Sequence, residues 1–274
     1  MNRRQFLQLS CSSIFVIGTS DITHIADSQF SFTGKKEVKL RFAIASDTHY
    51  GQKGTSYELM LKELVEWWKH EKNHKLLDLA FLNGDIVHDQ PEYLSLVREK
   101  LGLVQNPVYV AHGNHDMVEE EAWIKIFGTP WNYSFRKKDT SFLILNTADS
   151  NGKYTCPEID WVRQELKKHA RSRVLFVIMH ITPVKWTGGG MDCPELVKLF
   201  SAQKNLKAVF HGHDHNEDAW KIRDNKLYFF DARAGGSWGT PYRGYRIVEV
   251  LYSGKIVTYQ VNAVDQQVIN NKHL

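Results

Sequence analysis

Leu40-Arg41-Phe42-Ala43-Ile44-Ala45-Ser46-Asp47-Thr48-His49 changes character at one point. A mostly apolar run of strand length stops at Ser46, and the residues that follow include a carboxylate and an imidazole. Short apolar runs cut off in this way read as buried strands. The pattern returns four times. Leu79-Ala80-Phe81-Leu82-Asn83 runs into Gly84-Asp85, and Val108-Tyr109-Val110-Ala111-His112 into Gly113-Asn114-His115-Asp116. Val174-Leu175-Phe176-Val177-Ile178-Met179 runs into His180, and Ala208-Val209-Phe210-His211 into Gly212-His213-Asp214-His215. Amphipathic segments lie between: 57–69, with Leu59, Leu61, Leu64, Val65 and Trp68 on one stripe, then 91–101, 119–127, 157–168 and 194–200. Strands alternating with helices predict an α/β protein with parallel pairing. After Tyr228 the pattern becomes consecutive strands, 227–231, 245–251 and 256–261, and 133–135 with 142–146 reads as a further hairpin. One domain holding two sheets accounts for this mixture.

In open α/β sheets, ligands bind just beyond the carboxyl ends of the strands. Asp47, His49, Asp85, Asn114, His115, His180, His213 and His215 all occupy that position, so segments far apart in the chain meet on one rim. Gly84, Gly113 and Gly212 each precede a candidate ligand, and glycine admits the positive φ that would re-aim the chain there. A donor set of imidazoles, carboxylates and one amide oxygen suits Mn, Fe or Zn; it is poor for Ca and lacks the thiolates of structural Zn.

The chain has 274 residues, 42% hydrophobic and 24% charged, which excludes a disordered or fibrous protein. A net charge of +4 gives no reason to expect nucleic acid or an anionic membrane as partner. No apolar run approaches the roughly 18 residues of a spanning helix. The opening Met1-Asn2-Arg3-Arg4-Gln5-Phe6-Leu7, with a weakly apolar stretch behind it, looks like a twin-arginine export signal over residues 1–26. That implies a bacterial protein of the periplasm or exterior, with no integral membrane segment once the signal is removed. The alternative is an N-terminal helix with two surface arginines. Residues 27–36 read as a linker, 37–265 as a single domain and 266–274 as a polar tail. Cys156 and Cys193 read as two small buried apolar residues, with a disulfide as the alternative in an oxidising compartment.

The series Asp-x-His, Gly-Asp, Gly-Asn-His-Asp, a lone His and Gly-His-x-His resembles the calcineurin-like metallophosphoesterases, over about Leu40 to Asn262. Tyr133-Ser134-Phe135 with Phe142-Leu143-Ile144-Leu145, and Ile159-Asp160-Trp161-Val162 with Leu166, resemble segments of its secreted phosphatase and cyclic-nucleotide phosphodiesterase branches. The resemblance implies a four-layer α-β-β-α sandwich of two mixed sheets flanked by helices. It implies two divalent metal ions, one on Asp47, His49 and His215, the other on Asn114, His180 and His213, with Asp85 bridging. It further implies hydrolysis of a small phosphate ester by a metal-activated hydroxide, His115 as general acid and Asp116 orienting it. Metal activation of water and protonation of the leaving oxygen are what an anionic ester requires.

His88, three residues after Asp85, stands where purple acid phosphatases carry a ligating Tyr, so purple Fe(III) chemistry is not implied. His88 reads as a donor behind a ligand, a substrate contact or a surface residue. Arg233 is a candidate phosphate clamp beside the Gly-rich segment 233–243, and Trp238 in that segment is a loop-packing or substrate-stacking aromatic. His112 reads as a core histidine. Monoesters and diesters, the latter including cyclic nucleotides, are not separated by these residues. A non-catalytic scaffold of the same fold would lack ligands or the acid, and here the set is complete.

Overall fold

The computed structural model describes residues 37–262 and three short strands outside them. The strands are β1 (Ile14–Ile17), β2 (Ile22–Ile25), β3 (Val38–Ala45), β4 (Leu79–Asn83), β5 (Val108–Ala111), β6 (Tyr133–Lys137) and β7 (Thr140–Leu145). They continue with β8 (Val174–Met179), β9 (Leu206–His211), β10 (Trp220–Arg223), β11 (Lys226–Phe230), β12 (Gly244–Leu251), β13 (Ile256–Asn262) and β14 (Val268–Ile269). The helices are α1 (Tyr57–Lys75), α2 (Leu94–Gly102), α3 (Glu120–Phe127), α4 (Ile159–Lys168) and α5 (Pro194–Ala202). One sheet runs β2-β1-β13-β12-β3-β4-β5, with β14 also on β13; the other runs β10-β11-β9-β8-β7-β6. Strands β3, β4 and β5 are parallel, as are β7, β8, β9 and β11.

The four layers follow from the period of two in the buried strands. On β3, Leu40, Phe42 and Ile44 enter the apolar cluster between the sheets, while Ala43 and Ala45 face α1 and α2. On β8, Val174, Phe176 and Ile178 join the same central cluster, and Leu175, Val177 and Met179 pack against α4 and α5. Phe42 is its hub, with the rings of Phe81, Phe142, Phe176 and Phe210 between 5.1 and 6.4 Å away. On the helix side of β3 the buried Arg41 bridges Glu71 of α1 at 2.7 Å and Glu249 of β12 at 2.8 Å. This is the α-β-β-α sandwich that the family resemblance implies.

Both sets of parallel strands end on the same rim. There Asn83, last residue of β4, donates through Nδ2 to the carbonyls of Met179 on β8 and Phe210 on β9, at 3.3 and 3.2 Å. That side chain stitches the two sheets together below the candidate ligands. The edge strand β10, with Arg223 exposed, has too little apolar pattern to be read from sequence. Cys156 and Cys193 are joined by a disulfide, so the reading as two separate apolar residues is corrected. Cys156 is exposed in a loop, where an apolar side chain would gain nothing by burial. Apart from β1, β2 and β14, the segments read as export signal, linker and polar tail lie outside the described residues. Among the described residues no helix is long and apolar enough to cross a membrane.

Candidate metal centre

Each strand end turns sharply where its candidate ligand sits. Asp47, His49, Asp85 and His213 all have positive φ, between 42° and 65°, a strained region for residues with a Cβ and one that collects at functional sites. The glycines work differently from the positive-φ expectation. Only Gly84 has a left-handed φ, +78°. Gly113 and Gly212 are needed for space. A Cβ on Gly113 would lie 2.1 Å from the Asp85 amide nitrogen, and one on Gly212 would lie 2.6 Å from Asp47 Oδ2.

The residues converge in two groups that share Asp85. The ligand atoms of Asp47, His49, Asp85 and His215 all lie within 4.8 Å of one another, and so do those of Asp85, His180 and His213. Asn114 stands beside them on the loop after β5, and its Oδ1 is buried with no hydrogen-bond partner. His180 Nε2 lies 3.1 Å from Asp85 Oδ2, and His215 Nε2 lies 3.0 Å from Asp47 Oδ1. His49 Nε2 is 3.0 Å from His215 Nε2. Two imidazole nitrogens facing each other across two carboxylates, with an orphaned amide oxygen nearby, fit divalent cations better than they fit the bare protein.

Outer partners fix the rings. His180 Nδ1 donates to the Asn83 carbonyl at 2.8 Å, and His215 Nδ1 to the Trp238 carbonyl at 3.2 Å, which leaves each Nε2 lone pair facing the centre. His49 Nδ1 meets His88 Nδ1 at 2.9 Å, so His88 stands behind a candidate ligand. Trp238 stacks on His215 at 4.3 Å and 13°. Charge balance follows. Burial works against an ionised Asp85, but His180, His49 and His115 outweigh it and hold the carboxyl well below its ordinary range. Burial likewise opposes a charged His180, but Asp85 and Asp47 raise it to about 10. Burial pushes His49 down to about 3 and, helped by His180, His213 down to about 4.

Two placements differ from the sequence-based expectation. Asp116 does not meet the His115 ring. It is fully buried, and its carboxylate accepts the backbone N–H groups of Ile86, Val87 and Gly113 at 2.8, 3.1 and 2.8 Å, tying together the turns that carry Asp85 and Asn114. The partner of His115 is Asp89, with Oδ1 2.6 Å from Nδ1. Asp89 lies 26 residues away, beyond the reach of a local motif. Arg233, the candidate phosphate clamp, directs Nη1 to the carbonyls of Gly235 and Gly236 at 2.8 and 2.9 Å and Nη2 to that of Thr240 at 3.3 Å, which shapes the 233–243 loop, while its buried Nε has no partner. A further residue invisible in the sequence is Tyr154, whose hydroxyl is 2.9 Å from His213 Nε2. His112, bonded to Asn146 Oδ1 at 3.0 Å and packed between Trp123 and Trp131, is a core residue.

Comparison with known proteins follows this geometry. A protein named probable cyclic nucleotide phosphodiesterase from Fibrobacter succinogenes is 26% identical over 172 residues, 58% of this chain and 66% of that protein. One of the same name from Psychrobacter arcticus is 23% identical over 216 residues, covering 66% of this chain and 76% of the relative. Among solved structures, a dimetal phosphatase from Danio rerio superposes with a TM-score of 0.68 at 11% identity, over 86% of this chain and all of that one. A purple acid phosphatase from yellow lupin seeds superposes with a TM-score of 0.65 at 13% identity, over 92% of this chain and 56% of that one. Such identities carry the fold alone. The sequence model described as calcineurin-like phosphoesterase matches residues 40–217, a span that holds every candidate ligand, and the chain belongs to that family.

Proposed function

We propose that this protein is a hydrolase of phosphate esters that uses two divalent metal ions. One observation carries the reading: six candidate ligands from four strand ends form two groups around a shared Asp85, with the orphaned Asn114 Oδ1 on the loop after β5 and the half-buried His115 on the same loop. Asp47, His49 and His215 would hold one ion, Asn114, His180 and His213 the other, and Asp85 both. Bound there, the two ions supply a water of lowered pKa and neutralise charge on the phosphoryl oxygens.

The chain's own residues account for the rest. Asp85 presents Oδ2 to the centre, while its Oδ1 accepts the His115 amide N–H at 2.9 Å, which fixes both the carboxylate and the start of the His115 side chain. With Nδ1 engaged by Asp89, the His115 ring has Nε2 free to pass a proton to the leaving oxygen. Asp89 holds the ring in that orientation throughout. Asp85→Asn should abolish hydrolysis of p-nitrophenyl esters with Mn(II) while the protein stays folded. Full activity in that variant would sink the dinuclear reading.

A diester substrate is the second reading, favoured by the two relatives named probable cyclic nucleotide phosphodiesterases. Comparing p-nitrophenyl phosphate with its bis ester separates the two. Export to the periplasm or exterior belongs to the same proposal. The twin arginines support it, and so does the disulfide, a bond that persists in oxidising compartments.

A further inference from the structure

We propose that the Cys156–Cys193 disulfide, acting through Tyr154, sets the affinity of one of the two metal positions, the one formed by Asn114, His180 and His213. The inference rests on the dinuclear reading above. The two positions are supported differently. His49 and His215 are backed by His88 and by Trp238, from segments that contain no cysteine. His213 is gripped instead by two loops. On one side the Tyr154 hydroxyl meets Nε2 at 2.9 Å and the phenol ring stands edge-on at 5.0 Å, which leaves Nδ1 as the ring atom free for a cation. On the other side Gly189 is so close that a Cβ there would lie 2.8 Å from His213 Cδ2 and Nε2.

The Tyr154 loop also backs Asn114, since a Cβ on Gly152 would lie 2.4 Å from the Asn114 carbonyl oxygen. It is a tight turn, with the amides of Asn151 and Lys153 on Asp149 Oδ1 and the Gly152 amide on the Asp149 carbonyl. The Gly189 loop is anchored by the Met191 amide on the Thr182 carbonyl and the Cys193 amide on that of Pro183. Neither loop is part of a sheet. The disulfide, spanning 37 residues, is the covalent link between them. Closing such a span removes loop freedom that would otherwise be lost when the ligands are ordered around a cation. The chemistry of release is simple. A dithiol reductant breaks the S–S bond, and its two electrons and two protons yield the Cys156 and Cys193 thiols while the reductant closes to its own disulfide. Cys156 is exposed, so the bond is reachable.

The test is calorimetric titration of the metal-free full chain with Mn(II) alone, in three forms: oxidised, reduced by a dithiol that is then removed anaerobically, and Tyr154→Phe. Oxidised protein is expected to bind two ions. Reduction should leave one at unchanged affinity and weaken the other about tenfold or more, the scale of lost outer support around a metal ligand. Tyr154→Phe, a change at an exposed side chain that keeps the ring, should weaken the same ion with little loss of thermal stability. It should also shift the imidazole 15N signals of His213 but not those of His215. Equal weakening of both ions, or no change in either form, overturns the inference. Oxidised protein that binds no Mn(II) overturns the dinuclear reading itself, and the two failures are thereby distinct.

Discussion

Neighbours in the chain, His115 and Asp116 have separate tasks. Asp89→Asn removes the carboxylate from His115 Nδ1 and should slow esters with poor leaving groups more than p-nitrophenyl esters. Measured kcat across a leaving-group series checks this, and a uniform fall would reject the proton-delivery role. Asp116→Asn instead places an N–H against the amides it should accept, and should cost about 1–3 kcal/mol of stability in denaturant unfolding. Burial and the nearby Asp85 push the Asp116 carboxyl up to about 8, against the pull of its backbone donors. A folded-state value above the unfolded one means the folded chain holds the extra proton, so this group's contribution to stability falls as pH rises from about 4 to 8. In metal-free protein the stability gap between wild type and Asp116→Asn should therefore narrow over that window. Asp47 and His180 were legible as candidate ligands because each stands where an apolar run stops, and His49 because it follows Asp47 at a spacing of two. Asp89, Tyr154 and Asn83 were not, because their partners come from other strands and nothing local marks the meeting.

At the scale of elements, the helices and most strands could be read because apolar period and burial agree, as on β3 and β8. Their assembly could not. β11 reads like the strands that follow it, yet it pairs parallel with β9 while β12 and β13 join the other sheet. The disulfide escaped for the same reason, since its cysteines lie in loops whose distance no periodicity fixes. The strand-end glycines offer a direct test. Gly212→Ala puts a methyl group against Asp47 Oδ2 and the Ser46 side chain without φ strain. It should weaken Mn(II) binding by at least tenfold in calorimetry and leave the circular dichroism of the fold unchanged. On β3, Phe42→Ala should remove about 3–5 kcal/mol from unfolding free energy, the usual cost of emptying an aromatic site in a tight core.

For the whole molecule, metal loading and protonation compete. His180, raised to about 10 by its carboxylate neighbours, must lose its proton before it can act as a ligand. Mn(II) affinity should accordingly rise with pH, with proton release visible as a dependence of the titration heat on buffer. Each candidate group also takes side chains from both sheets: Asp47, His49 and Asp85 from one with His215 from the other, and Asp85 from one with His180 and His213 from the other. In the bare protein the two layers are joined along that rim by Asn83 and by polar contacts such as His180 with the Asn83 carbonyl and His215 with Asp47. With cations in place, separation of the layers would have to wait for their departure. The lifetime of the protein against a protease would then follow the supply of metal around it, so that a cell which starves the site also shortens the life of the chain that carries it.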